Sequence, residues 1–120
     1  MLRSAFIFVA LVIFGISGSG EANAAGAKEV YDFYCSQCHG ATGKGDGPNV
    51  TKDMPVTPRN FTNAAEMNKL SDKDLRDVIM DGGPALSKSS IMPPWSQTLT
   101  EGETTGLIKH IRKLCKCKGK

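Results

Sequence analysis

Cys35-Ser36-Gln37-Cys38-His39-Gly40 is the stretch on which the reading of this chain turns. On a helical turn, residues three apart project from nearly the same side, so the two thiols face one way. The next residue is rotated by about 100°, which swings the imidazole of His39 to a different height and direction. Two thiols and an imidazole so disposed suit one planar macrocycle. The thiols of Cys35 and Cys38 meet two vinyl groups on its edge, and His39 reaches the iron at its centre. The spacing therefore predicts covalent haem attachment with a built-in proximal ligand. Two other chemistries use paired cysteines. A thioredoxin-like redox pair needs a βαβ context, and no such pattern surrounds this segment. A zinc site would need Cys115 and Cys117 as its other half, and Cys-x-Cys fits the usual ligand spacing poorly.

Upstream of the motif lies a segment to be set apart from the fold. Arg3 gives a small positive start, and Ala5 to Ile16 is a run of 12 almost wholly apolar residues. That is too short for a membrane span and suits the core of a signal peptide. Ala22-Asn23-Ala24 matches a small-x-small cleavage site. We read residues 1–24 as a signal peptide and residues 25–120 as one exported domain, placed in the periplasm and soluble after cleavage. An uncleaved membrane anchor is the competing reading. Removing 24 of 120 residues leaves 96, and a domain that small buries only about 60% of its unfolded surface. A large apolar ligand completing the core would help it. Losing Arg3 and Glu21 takes 15 basic and 12 acidic residues to 14 and 11, so the charge stays +3. That is too weak a field to argue for nucleic acid as a partner.

Downstream, the periodicities are helical. Ala25 to Tyr34 reads as a first helix, with Val30, Tyr31, Phe33 and Tyr34 apolar. Gly40 to Pro48 is a glycine-rich loop, and Pro55 and Pro58 continue it towards Arg59-Asn60-Phe61. A short helix is predicted over Ala64 to Leu70. Another starts at Ser71, where Asp74 completes a capping box, and buries Leu75, Val78 and Ile79. Gly82-Gly83-Pro84 stops it. Ala85 to Gln97 is irregular. The last helix begins near Thr100, with Glu103 at its capping-box position and Leu107, Ile108, Ile111 and Leu114 as its stripe. No stretch alternates with period 2, so the fold class is all-α.

A low-spin iron needs a second axial ligand, usually Met. Met67 and Met80 fall within predicted helices and are expected to fill core gaps. Met54 lies in a loop. Met92 precedes Pro93 and Pro94, which restrict its backbone and suit it to hold a thioether against a metal. Met92 is the expected sixth ligand. Trp95, three residues on, reads as a core aromatic that also packs beside the haem. Arg59 is a candidate partner for a haem propionate, with a plain surface arginine as the alternative.

These elements resemble the class I cytochromes c over most of residues 25–114. The matched pieces run in order: Tyr31, Cys35 to Gly40, Gly43 to Pro48, Pro58-Arg59-Asn60-Phe61, Gly82-Gly83-Pro84, Met92-Pro93-Pro94-Trp95 and the final helix. The resemblance implies a small cytochrome c fold of three to five helices around one haem, with the first and last helices crossing near its edge. It also implies His39 and Met92 as axial ligands and a small bacterial carrier serving a respiratory chain. Where the family often has an aromatic, this chain has His110, expected to pack against the first helix, with iron ligation as the minority alternative.

With both axial positions filled there is no site for a small-molecule substrate. The expectation is an electron carrier acting with redox partner proteins, not an enzyme. The rivals are a haem subunit of a larger respiratory enzyme and a gas-binding sensor with an open sixth site. The basic end formed by Lys109, Arg112, Lys113, Lys116, Lys118 and Lys120 reads as a solvated face that could steer an acidic partner. Cys115, continuing the last helix's stripe, is expected to be partly buried. Cys117 is expected to be exposed and free, so the monomer could cross-link into a dimer through it.

Overall fold

The computed structural model describes residues 24–120. The predicted signal peptide and its cleavage site lie, but for Ala24, outside the described residues. In chain order the helices are α1 (Ala24–Tyr34), α2 (Ser36–His39), α3 (Ala64–Met67), α4 (Asp72–Asp81), a 3-10 turn (Gly83–Leu86) and α5 (Glu101–Cys115). No strand occurs among the described residues, so the all-α expectation holds. No helix among them is long and apolar enough to cross a membrane.

Helices α1 and α5 cross at a point chosen by small residues. A methyl group on Gly106 of α5 would sit 3.1 Å from Cβ of Ala27 on α1, so the backbones approach only because Gly106 has none. One turn further along each helix, Tyr31 meets His110 with ring centroids 4.8 Å apart. His110 thus takes the aromatic's place at the crossing, as expected. Leu107 and Ile111 of α5 close over Tyr31 and Leu75 in a single core. Burying each of the two leucines contributes about 2 kcal/mol.

The capping boxes predicted from sequence are both formed. Ser71 and Asp74 exchange side-chain and backbone hydrogen bonds at the start of α4, and Thr100 and Glu103 do so at the start of α5. Of the predicted α4 face, Leu75 and Ile79 are buried. Val78 is half-buried, because it turns towards a cavity described below. The short third helix ends at Met67, three residues before the predicted end.

The C-terminal end differs from expectation in two ways. Arg112 is no free surface cation, since its side chain is only 11% exposed. Its Nε donates to Asp72 Oδ1 at 2.9 Å. Its Nη1 and Nη2 donate to the carbonyls of Met67 and Leu70. Those carbonyls belong to the end of α3 and the turn after it, and Met67 O also accepts from Leu70 N–H at 3.2 Å. Cys117 is neither fully exposed nor free: it forms a disulfide with Cys115. Lys116, between them, adopts a left-handed conformation (φ 50°). That turn brings the chain back on itself, so the two sulfurs meet within one chain, and a dimer through Cys117 loses its thiol.

Candidate functional site

Helix α2 is a single turn, and such a turn leaves its carbonyls without helical partners. The glycine-rich loop supplies them. Gly40 N–H donates to Ser36 O at 2.8 Å, Asn49 N–H to Gln37 O at 2.8 Å, Gly47 N–H to Cys38 O at 3.1 Å and Gly45 N–H to His39 O at 2.8 Å. Gly40 O accepts from the buried hydroxyl of Tyr31 at 2.8 Å. Five successive carbonyls are thereby satisfied. The loop comes this close only because Gly47 has no side chain: a Cβ there would lie 2.4 Å from Gln37 O. Burial holds the Tyr31 phenol well above its usual range, reinforced by Cys35, Asp32 and Asp46, so it remains a donor at neutral pH.

On this frame Cys35 and Cys38 are half-buried and unpaired. Burial, with Cys38 adding to it, pushes the Cys35 thiol up to about 12. His39 is fixed in plane by stacking on Phe61, with centroids 4.4 Å apart and 14° between the rings. Its Nδ1 lies 3.2 Å from the carbonyl of Arg59. A carbonyl can only accept, so Nδ1 carries the proton, and Nε2 is the nitrogen left with a free lone pair. Burial lowers the imidazole's pKa, and the hydrogen bond to Arg59 opposes that in part. A neutral imidazole is the metal-binding form.

The opposite wall is the irregular segment after α4. Its fold follows from the orphan carbonyls at the end of α4. Trp95 N–H donates to Ile79 O at 3.0 Å and Ser96 N–H to Met80 O at 3.0 Å. Pro93 and Pro94 have no N–H to offer, so the first two donors after them make these bonds. Met92 itself is held through its carbonyl, which accepts from Gly83 N–H at 2.9 Å. A Cβ on Gly83 would lie 2.0 Å from Ser89 O. Gly82 has φ +83° and needs its lack of a side chain too.

Between the two walls is a cavity of about 950 Å³, lined by Cys35, Cys38, His39, Met92, Trp95 and Arg59 among others. Its size falls at the upper end for cofactor pockets. All six residues singled out from the sequence meet there. Met54 also lines it, so the cavity alone does not choose between the two loop methionines. Met67 (0% exposed) and Met80 (8%) are core residues, as expected, and neither lines the cavity. His110 does not line it either. Trp95 packs on Tyr34 with centroids 5.2 Å apart.

Arg59 contributes in a way the sequence did not suggest. Its carbonyl orients His39, while its guanidinium lies 3.5 Å from Glu66 Oε2. Sequence reasoning also missed the Tyr31 hydroxyl bond and the Phe61 stack. Neither has a local signal beyond an aromatic at the right distance from the motif. Two unpaired thiols three residues apart, an imidazole with Nε2 free and an apolar cavity fit a covalently attached haem.

This architecture defines a class, the c-type cytochromes. The family described as cytochrome c oxidase, cbb3-type, subunit III, matches residues 22–111, and the chain belongs to that family. Among solved structures it is similar to KustC0563, a c-type cytochrome, with 26% identity and a TM-score of 0.58 over 73% of this chain and 95% of that one. It is also similar to a chain of the reducing HAO-like protein complex Kustc0457/Kustc0458 of Kuenenia stuttgartiensis. There the identity is 31% and the TM-score 0.58, over 73% of this chain and 40% of that one. No curated protein matches. The cofactor is covalently bound haem c, and the chain is a cytochrome c domain of electron transport.

Proposed function

We propose that this protein is a periplasmic one-electron carrier with a single haem c, attached through Cys35 and Cys38 and ligated by His39 and Met92. The observation that carries the reading is the pairing of walls. His39, with Nδ1 committed to Arg59 O, and Met92, on a loop pinned to α4, line one apolar cavity. When bound, the haem supplies a one-electron ferric–ferrous couple. The chain's own residues do the rest. Cys35 and Cys38 tether the macrocycle, and the Arg59 carbonyl fixes the imidazole tautomer. Val78, Ile79 and Trp95, which line the same cavity as His39, would exclude water from it. Export and removal of residues 1–24 complete the proposal, with partner proteins of a respiratory chain as donor and acceptor.

A second reading has its own support. The family is described as an oxidase subunit, and one structural neighbour is part of a complex. In that reading the same domain passes electrons to a catalytic neighbour, and the protein would co-purify with it in fixed ratio.

The test of the ligand set is spectroscopic. The oxidised protein should carry the far-red sulfur-to-iron absorption band. Met92→Ala should abolish it, lower the reduction potential and admit carbon monoxide to the reduced form, while Met54→Ala leaves the band in place. Loss of the band in Met54→Ala alone would give the sixth position to Met54. Absence of the band in the wild type would favour an open-site gas sensor. Mass spectrometry of the secreted protein should find Ala25 at its start.

A further inference from the structure

Neither Cys115 nor Cys117 lines the cavity that holds Cys35, Cys38 and His39. We propose that Cys115 and Cys117 form a separate thiol–disulfide redox centre, exchanging with dithiols of small molecules or partner proteins. The inference is independent of which residues ligate the iron.

Three observations carry it. First, the disulfide joins residues two apart. Stabilisation by loop closure grows with the length of the loop closed, so across a separation of two residues a staple is the role this bond fills worst. Second, the two sulfurs sit in unequal surroundings. Cys115 is 3% exposed and belongs to the core, whereas Cys117 is half-buried at the surface. An incoming thiolate therefore reaches Cys117 first. Third, Arg112 Nη1 lies 3.6 Å from Cys117 Sγ, and the exposed Lys116 and Lys118 flank it. Asp72 pairs with the far edge of the same guanidinium, at Nε. A cation beside the sulfur favours the thiolate, the form that attacks and leaves in exchange.

The step balances as a dithiol–disulfide exchange. A thiolate of the dithiol attacks Cys117 Sγ, the Cys115–Cys117 bond breaks, and Cys115 leaves as a thiolate and takes up a proton. The dithiol's second sulfur, giving up its proton, then attacks the mixed disulfide and releases Cys117. The dithiol loses two electrons and two protons, and the cysteine pair gains them. Reduction also frees the left-handed turn at Lys116 and the tail beyond it, where Gly119 N–H donates to Asn68 Oδ1 at 3.1 Å.

The test uses the haem-loaded protein in buffers of reduced and oxidised dithiothreitol, followed by acid quench and iodoacetamide. The C-terminal peptide should gain two alkyl groups in reducing buffer and lose both on return to oxidising buffer, with the haem spectrum still that of a folded protein. With oxidised glutathione as probe, Cys115→Ser should take up one glutathionyl group on Cys117 at least tenfold faster than Cys117→Ser takes one on Cys115. A disulfide that opens only when denaturant is added would overturn the proposal. So would equal reactivity of the two single variants.

Discussion

The two walls of the cavity are built to different standards. On the His39 side, five consecutive carbonyls from Ser36 to Gly40 are each met by a donor from the loop or from Tyr31. The imidazole is held both in plane and by a hydrogen bond. On the Met92 side, the residue is held by two backbone bonds, its carbonyl accepting from Gly83 N–H at 2.9 Å and its N–H donating to Ser89 O at 3.4 Å, and its neighbours Ile91, Pro93 and Pro94 are exposed. The difference teaches where precision is placed. The wall that carries Cys35, Cys38 and His39, the proposed attachment and ligand groups, is locked by backbone geometry. The wall that carries Met92, the proposed thioether ligand, is tied by fewer bonds, to Gly83, to Ser89 and to the end of α4.

The contrast yields predictions that attack each wall in turn. Replacing Cys35 and Cys38 together by Ala should remove all haem staining on a denaturing gel and leave the cavity unfilled. Circular dichroism should then show loss of most helix. Stain that survives would mean the tether is elsewhere. Met92→Ala, described above, comes next, removing the far-red band with the haem still attached. Gly83→Ala tests the anchor of the loose wall. Its methyl group must push Ser89 away, which costs about 1–3 kcal/mol and should weaken the far-red band while covalent haem remains. If band and stability are both unchanged, Gly83 does not set the position of Met92.

Smaller effects belong to the rigid wall and to the helix crossing behind it. Tyr31→Phe removes the hydroxyl bond to Gly40 O, which still accepts from Gly43 N–H. Urea unfolding should show a loss of about 1 kcal/mol with the spectrum intact. His110 gives the mildest change, one of pH dependence. Its pKa is lowered by burial, opposed by Asp32 and reinforced by Lys28 and Lys113. As pH falls through 6.5 the unfolded chain takes up a proton before the folded one does, so stability is full above that pH and declines below it. His110→Phe should flatten that decline in thermal unfolding curves, and an unchanged slope would assign it to another group.

The sequence by itself determined the elements whose signals are local. The capping boxes at Ser71 and Thr100, the stop at Gly82-Gly83 and the C-x-x-C-H turn all depend on residues within five positions of one another, and all are in place. The same locality placed Met67 and Met80 in the core, because both fall within predicted helices. Tertiary structure decided what depends on contacts across the chain. Arg59 looked like a partner for an anion, yet its carbonyl serves His39, 20 residues away. Every residue carries that same group, so no side-chain pattern announces it. Arg112 reads from sequence as one charge in a basic tail, yet its side chain reaches from α5 to the carbonyls of Met67 and Leu70 at the end of α3 and the turn after it. Cys117 looked free until the left-handed turn at Lys116 folded it back on Cys115. Side-chain periodicity is written along the chain. Backbone partners and the return path of a tail are set only when distant segments pack.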